Sequence, residues 1–314
     1  MIPIYRRKIY MEMTINPLKM RRVPLIFLFI VMILAGSKHA RAQATGTPAG
    51  HERGFTFNET FEGSTNSDGT FTSLTSSATY NFSDHFSAGF GIPIYFEHTP
   101  SSTGATSTTG IGDVFLSLRG VWKNPLLNYG TSLTGSAPTG NSSKGFSTGH
   151  AGVNWDNRVE HDFGLVTPFV DAGLANSVVD TRFFQRPFTS FGTLLHSEAG
   201  ADLDLSHSFT LTLSAYDVLP FGTQTVFSRF VTAGSVGKGG QHGRVFEVSH
   251  TTTGTADLLR DNGYTAGLDF TPKPYLDLEV GYTRSVHFAL NTVSFGVGFN
   301  VSSFFSRNSK TSTR

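Results

Sequence analysis

The residues in this chain that could do chemistry are acids and arginines at two-residue spacing. Asp156, Arg158 and Glu160 fall on alternate positions, as do Asp202 and Asp204, and Asp277 and Glu279. On an extended strand such residues share one face. Paired carboxylates support acid–base catalysis only beside a substrate cleft, and nothing else here supplies a reacting group. No Walker loop, dinucleotide fingerprint, HExxH or GxSxG occurs. His196 stands beside Ser197, but neighbours on a strand point to opposite sides and cannot act as base and nucleophile. The chain has no cysteine, which excludes disulfides, thiolate metal sites and thiol catalysis. Its 11 histidines are scattered, several in turns or loops (His85, His98, His161, His207, His242). No catalytic residue, metal or cofactor is expected, and the reading is of a protein that is not an enzyme.

The composition must then explain what positions these charges. Of 314 residues, 34 are glycine, 29 are phenylalanine and only 15% are charged, against about 25% in an average soluble domain. The formal net charge of +1 is uneven. Residues 1–42 hold eight Lys/Arg and one acid, which leaves the remainder with 16 basic and 22 acidic residues. That balance argues against a nucleic-acid partner. The basic stretch ends at Arg21-Arg22, and the apolar run VPLIFLFIVMILAG follows at 23–36. This is too short to span a bilayer comfortably and suits an export signal. Small residues place cleavage after Ala42 or Ala44, so 1–44 reads as a signal peptide.

Beyond it, segments of about ten residues alternate with period 2. The clearest is Val293, Phe295, Val297, Phe299 and Val301 against Ser294, Gly296, Gly298 and Asn300. About twelve such strands are expected, near 53–62, 70–82, 86–97, 110–122, 128–138, 149–160, 164–175, 192–204, 208–218, 263–271, 275–284 and 290–302. The region 219–262 is open: either one long loop, or a further strand at 244–250 with a partner, since bacterial barrels close with an even number. Short connections alternate with long Gly/Ser/Thr-rich ones at 62–69, 98–110, 137–149 and 176–191. Short turns on one side and long loops on the other mark an all-β, transmembrane, antiparallel up-and-down barrel over 45–305, with 306–314 a disordered tail. A soluble β-sandwich or lipocalin-like barrel is the competitor, but it does not need an apolar face on every strand. Tyr80, Trp122, Tyr129, Trp155, Phe163, Phe209, Phe270 and Tyr275 sit near strand ends, as an interfacial girdle requires.

With the apolar face on lipid, the other face lines a lumen. That face would present Asp113, Arg119, Asp156, Arg158, Glu160, Asp171, Glu198, Asp202, Asp204, Asp269, Asp277 and Glu279. Such a lumen disfavours anions, unless the acids pair with Arg119, Arg158 or loop cations and only fix the barrel's shape. Glu59 falls on the apolar face among Phe55, Phe57 and Phe61, so either the register shifts there or the position lies at the interface. The loop residues Arg182, Phe183, Phe184, Arg186 and Phe188 could meet a ligand at the outer mouth or fold back to pack the loop.

Two short motifs carry a family resemblance. Gly110-Ile111-Gly112-Asp113-Val114 opens a strand, and Ala137-Pro138-Thr139-Gly140-Asn141 follows on the next long loop. Together they resemble the outer-membrane family labelled "MetA-pathway of phenol degradation", whose members carry a similar G-x-G-D strand start and a P-T-G-D-like loop. Asn141 stands where the family has an acid. The resemblance implies a barrel that passes small, aromatic or apolar compounds. The expectation is therefore a passive outer-membrane channel. Its partners would be outer-membrane lipid, a small-molecule solute and the export and barrel-assembly machinery. The alternative is a structural or adhesive surface barrel with a closed lumen and partner-binding loops.

Overall fold

The computed structural model describes residues 54–99, 106–178, 180–230, 246 and 249–305. The signal peptide, its cleavage sites and the 306–314 tail lie outside the described residues. Sixteen strands follow one another among the described residues: β1 (Gly54–Thr65), β2 (Thr70–Asn81), β3 (Phe86–Thr99), β4 (Thr106–Ile111), β5 (Val114–Lys123), β6 (Asn128–Ala137), β7 (Gly152–Glu160), β8 (Val166–Ala175), β9 (Phe188–Phe191), β10 (Leu194–Ser206), β11 (Phe209–Pro220), β12 (Gln224–Ser228), β13 (Thr251–Gly254), β14 (Asp261–Lys273), β15 (Leu276–Ser285) and β16 (Leu290–Asn300).

Twelve of these close a barrel. The order runs β1-β2-β3-β5-β6-β7-β8-β10-β11-β14-β15-β16, and β16 pairs back onto β1. Every pairing is antiparallel. Closure leaves no strand edge, so every ladder N–H and C=O finds a partner without water. Strand β4 also pairs with β3, so the fourth stave is one strand broken at Gly112-Asp113. The remaining strands, β9, β12 and β13, form a separate three-stranded sheet from the long connections. That sheet is the main departure from expectation. It settles part of the open region 219–262: β12 pairs with β13 on one side and β9 on the other, not with the barrel. Of 244–250, only residues 246, 249 and 250 are described.

Strand length and register follow from alternation. Outward positions carry Phe55, Phe57, Phe61, Leu116, Leu118, Val170, Leu174, Leu213, Val280, Val293, Phe295 and Val297, all well exposed. In water that would be a large liability; against hydrocarbon it is the favourable surface. Aromatics gather at the short-turn end, where Trp122 stacks with Tyr129 at 5.6 Å and Phe209 with Phe270 at 4.3 Å. One connection at the opposite end is shorter than expected. Strand β1 runs on to Thr65, so only residues 66–69 link it to β2, while residues 286–289 link β15 to β16 nearly where the alternation placed that turn. After β16 the chain turns helical at 301–305 instead of extending the strand to 302. Phe304 packs there on Tyr275 and Phe299.

Candidate transport lumen

Cross-strand register decides which charges share the lumen. Arg158 on β7 lies opposite Asp171 on β8, Asp202 on β10 opposite Thr212 on β11, and Asp269 on β14 opposite Glu279 on β15. These positions all have the parity opposite to the exposed apolar residues, so they point inward. Eleven of the twelve expected lumen residues take this parity. Asp113 does not line the lumen, because it sits in the break between β4 and β5. Its Oδ1 accepts the Gly140 N–H at 2.9 Å and its Oδ2 accepts the Ser147 hydroxyl at 3.0 Å. The Thr139 hydroxyl donates to the Gly112 carbonyl at 3.0 Å and accepts the Val114 N–H at 2.9 Å. The two motifs singled out in the sequence are thus halves of one latch, which ties the 138–151 loop to a broken strand.

The β7–β8–β10 wall is organised by Arg158. Its guanidinium donates to Glu160 at 2.8 Å, Asp171 at 3.0 Å and Asp202 at 3.1 Å, and lies over the Phe169 ring at 3.9 Å. An arginine fork suits this task, since its planar donors serve several carboxylates at once. The other acids of this wall take hydrogen bonds from neutral side chains. Glu198 accepts from Ser214 at 2.5 Å and Asp204 from Thr210 at 3.0 Å. Asp156 lies 3.4 Å from the Asn154 amide and 3.8 Å from His196 Nε2. Arg119 faces the same space from β5.

Opposite this wall a loop enters the barrel. Thr181 and Phe184 exchange both backbone hydrogen bonds at 3.1 Å, which makes a two-residue hairpin tip of Arg182 and Phe183. Arg182 donates to Glu279 at 2.5 Å, to Asp277 at 3.3 Å and to Asp269. Burial works against its charge, but the carboxylates of Glu279, Asp269 and Asp277 outweigh that and hold the guanidinium above its usual range. These three acids are close enough to hold a metal ion, and the Arg182 cation occupies that place. The Phe183 ring presses on Gly267 and Gly281, where any Cβ would collide with it. Its carbonyl accepts the hydroxyls of Thr283 at 3.0 Å and Ser294 at 2.9 Å. Gln185 bonds Ser64 through its carbonyl at 3.0 Å and Glu62 through its amide at 2.9 Å. The loop residues expected at the outer mouth therefore divide. Arg182 and Phe183 reach into the lumen. Phe184 and Phe188 join an apolar cluster with Leu194, Tyr216, Val218, Val226, Leu259 and Leu290 at the long-loop end. Arg186 lies over the rings of Phe184 and Tyr216.

Two spaces remain. A cavity of about 900 Å³ occupies the short-turn end. Seven acids line it (Asp156, Glu160, Asp162, Asp171, Asp202, Asp204, Asp269) against three strong bases (Arg119, Lys123, Arg158). A second cavity of about 220 Å³ runs between the inserted hairpin and the β7–β8–β10–β11 wall, and both are lined by Asp156, Arg158, Asp171 and Asp202. Sequence reading missed Glu62, Ser64, Thr283 and Ser294, which hold the hairpin. The alternation placed Glu62, Thr283 and Ser294 on the inward face, Ser64 joins them only because β1 runs on to Thr65, and the hairpin's position makes all four matter.

Comparison with solved structures follows the same lines. The "COG4313 outer membrane channel" of Pseudomonas putida F1 superposes with a TM-score of 0.53 at 11% identity, over 83% of this chain and 100% of that one. This chain has the fold of an outer-membrane β-barrel. The KdgM porin gives a TM-score of 0.45 at 10% identity, over 77% of this chain and 98% of that one. The CymD monoaromatic hydrocarbon channel gives 0.37 at 8% identity, over 79% and 88%. No family model matches the sequence, and no curated protein matches it. The closed ladder and apolar outer belt together place the barrel in the outer membrane.

Proposed function

We propose that this barrel is a passive channel for small solutes that favours cations over anions. One observation carries the reading: the large cavity at the short-turn end is lined by seven acids against three strong bases. In a water-filled space with low-dielectric walls, such an excess raises the local cation concentration and excludes anions. The short turns then lie in the periplasm and the long loops outside, as in other bacterial barrels. The family resemblance suggests small aromatic or apolar solutes; an acid-lined vestibule suits polar or cationic ones better. The channel needs no energised partner, because solute moves down its gradient.

A second reading has a specific observation behind it. The apolar cluster around Phe184, Phe188, Leu194 and Leu290 fills part of the long-loop end, which favours a structural or adhesive barrel with a closed lumen. Planar-bilayer recording of the purified, refolded barrel separates the two. A channel gives discrete conductance steps and a reversal potential shifted toward the cation in a salt gradient. A barrel that inserts, migrates as folded before boiling, and passes neither ions nor small solutes is structural.

A further inference from the structure

We infer that the hairpin tip Arg182-Phe183 is a displaceable gate, docked in its closed position against β1, β14, β15 and β16. The inference rests on the channel reading and adds how the channel opens. Three features support it. First, the tip is held by polar contacts. Arg182 pairs with Asp269, Asp277 and Glu279; the carbonyls of Phe183 and Gln185 take hydroxyls from Thr283, Ser294 and Ser64. A wall of hydroxyls, glycines and carboxylates hydrates readily when the tip leaves, whereas an apolar socket would not. Second, Arg182 Nη1, Gln185 Oε1 and Asp269 Oδ1 are buried with no protein partner among the described residues, so docking does not use the full bonding capacity of the tip. Third, the base of the same segment is anchored apart from the tip: Phe184 and Phe188 sit in the apolar cluster, which gives the hairpin a fixed end to swing from.

The geometry also says what opening would do. The 220 Å³ cavity runs along the hairpin face that carries Arg182 and Phe183, and it shares the lining residues Asp156, Arg158, Asp171 and Asp202 with the large vestibule. Withdrawal of the tip enlarges that cavity beside the vestibule and uncovers Ser294. It also leaves three carboxylates facing the lumen, so the open state is more cation-selective than the closed one.

The test uses the absence of cysteine from the chain. Ser294→Cys puts a thiol under the docked tip, and N-ethylmaleimide, a neutral reagent, reports its exposure without responding to lumen charge. In refolded barrels the labelling rate should rise at least about tenfold when Arg182→Gln is added, as loss of charge-assisted hydrogen bonds predicts. Arg182→Lys, which keeps one charge but not the fork, should fall between. If the Gln variant does not migrate as a folded barrel, the Lys variant gives the same readout. Ser64→Cys with Gln185→Cys, oxidised, should hold bilayer currents at their smallest level, and reduction should restore the larger steps. Equal labelling in all Arg182 backgrounds overturns the gate, whatever the currents do. Faster labelling without any conductance keeps the moving tip but refutes the channel. Conductance that ignores both the Gln variant and the disulfide keeps the channel and refutes the gate.

Discussion

Replacing Arg158 by methionine tests whether the β7–β8–β10 wall depends on the cation at its centre. The guanidinium bonds three carboxylates at 2.8, 3.0 and 3.1 Å, with its side chain 21% exposed and theirs between 13% and 25%. Removing one partner of a fully buried pair costs about 3–5 kcal/mol, while fully exposed pairs are worth about 0–1. The vestibule admits water, so a loss of about 2–3 kcal/mol is expected between those limits. For a chain of this size that lowers a melting midpoint by roughly 5–10 °C. Methionine keeps most of the side-chain volume over Phe169, so the effect is electrostatic rather than a cavity. The assay is heat-modified migration on gels across a temperature series. Adding Asp202→Asn should recover part of the loss, because it removes one of the stranded charges. The single variant should also move the reversal potential further toward the cation. A midpoint shifted by less than about one degree, or a double variant weaker than the single by the full Asp202 effect, would refute the reasoning.

The remaining predictions use other parts of the wall. Asp202→Asn with Asp204→Asn removes two charges from the vestibule lining and should weaken cation preference; an unchanged reversal potential rules out an electrostatic role for this pair. Asp113→Ala unties the latch of Gly140 and Ser147, at a cost of about 2 kcal/mol; trypsin should then cut faster after the exposed Lys144, and an unchanged rate would show that the loop holds without it. Glu59 faces outward, opposite Ser76 and Phe299, and takes the Ser76 hydroxyl at 2.7 Å. Glu59→Leu should raise the melting midpoint, since a carboxylate on the lipid face is unfavourable; a fall would mean that its partner outweighs that cost.

The barrel was legible because lipid imposes a rule on every residue of the wall. Val293, Phe295, Val297 and Phe299 on β16 announce one face, and the same rule placed Arg158, Asp202 and Glu279 on the other. The strand count followed from the same alternation. The lumen's contents were not legible, for a physical reason. Arg182 reaches Asp269 from 87 residues away, and no local spacing encodes that approach. The aromatic and basic cluster at 182–188 was visible in the sequence, but its composition suits an outer mouth and an inserted hairpin equally well. Only Gly267 and Gly281, which leave room for the Phe183 ring, mark where it docks, and glycine on an inward strand face has many other causes. The short sheet of β9, β12 and β13 likewise buries no continuous face against lipid and so lacks the long alternation.

This division bears on function. Alternation fixes how many charges face the lumen but not which of them are neutralised. Asp171 and Asp202 are paired through Arg158; Asp269 and Glu279 are paired through a loop; Glu198 and Asp204 are bonded by hydroxyls, which bring no counter-charge. The acids paired through the loop differ from the rest, because their counter-charge can leave while the barrel stays closed. Selectivity near the β7–β8–β10 wall is therefore a property of the folded barrel, and selectivity near β14 and β15 is a property of where the hairpin sits. A channel built this way should show one reversal potential at its smallest conductance and a more cation-selective one at its largest. A single value at all conductance levels would mean that Arg182 never leaves its carboxylates.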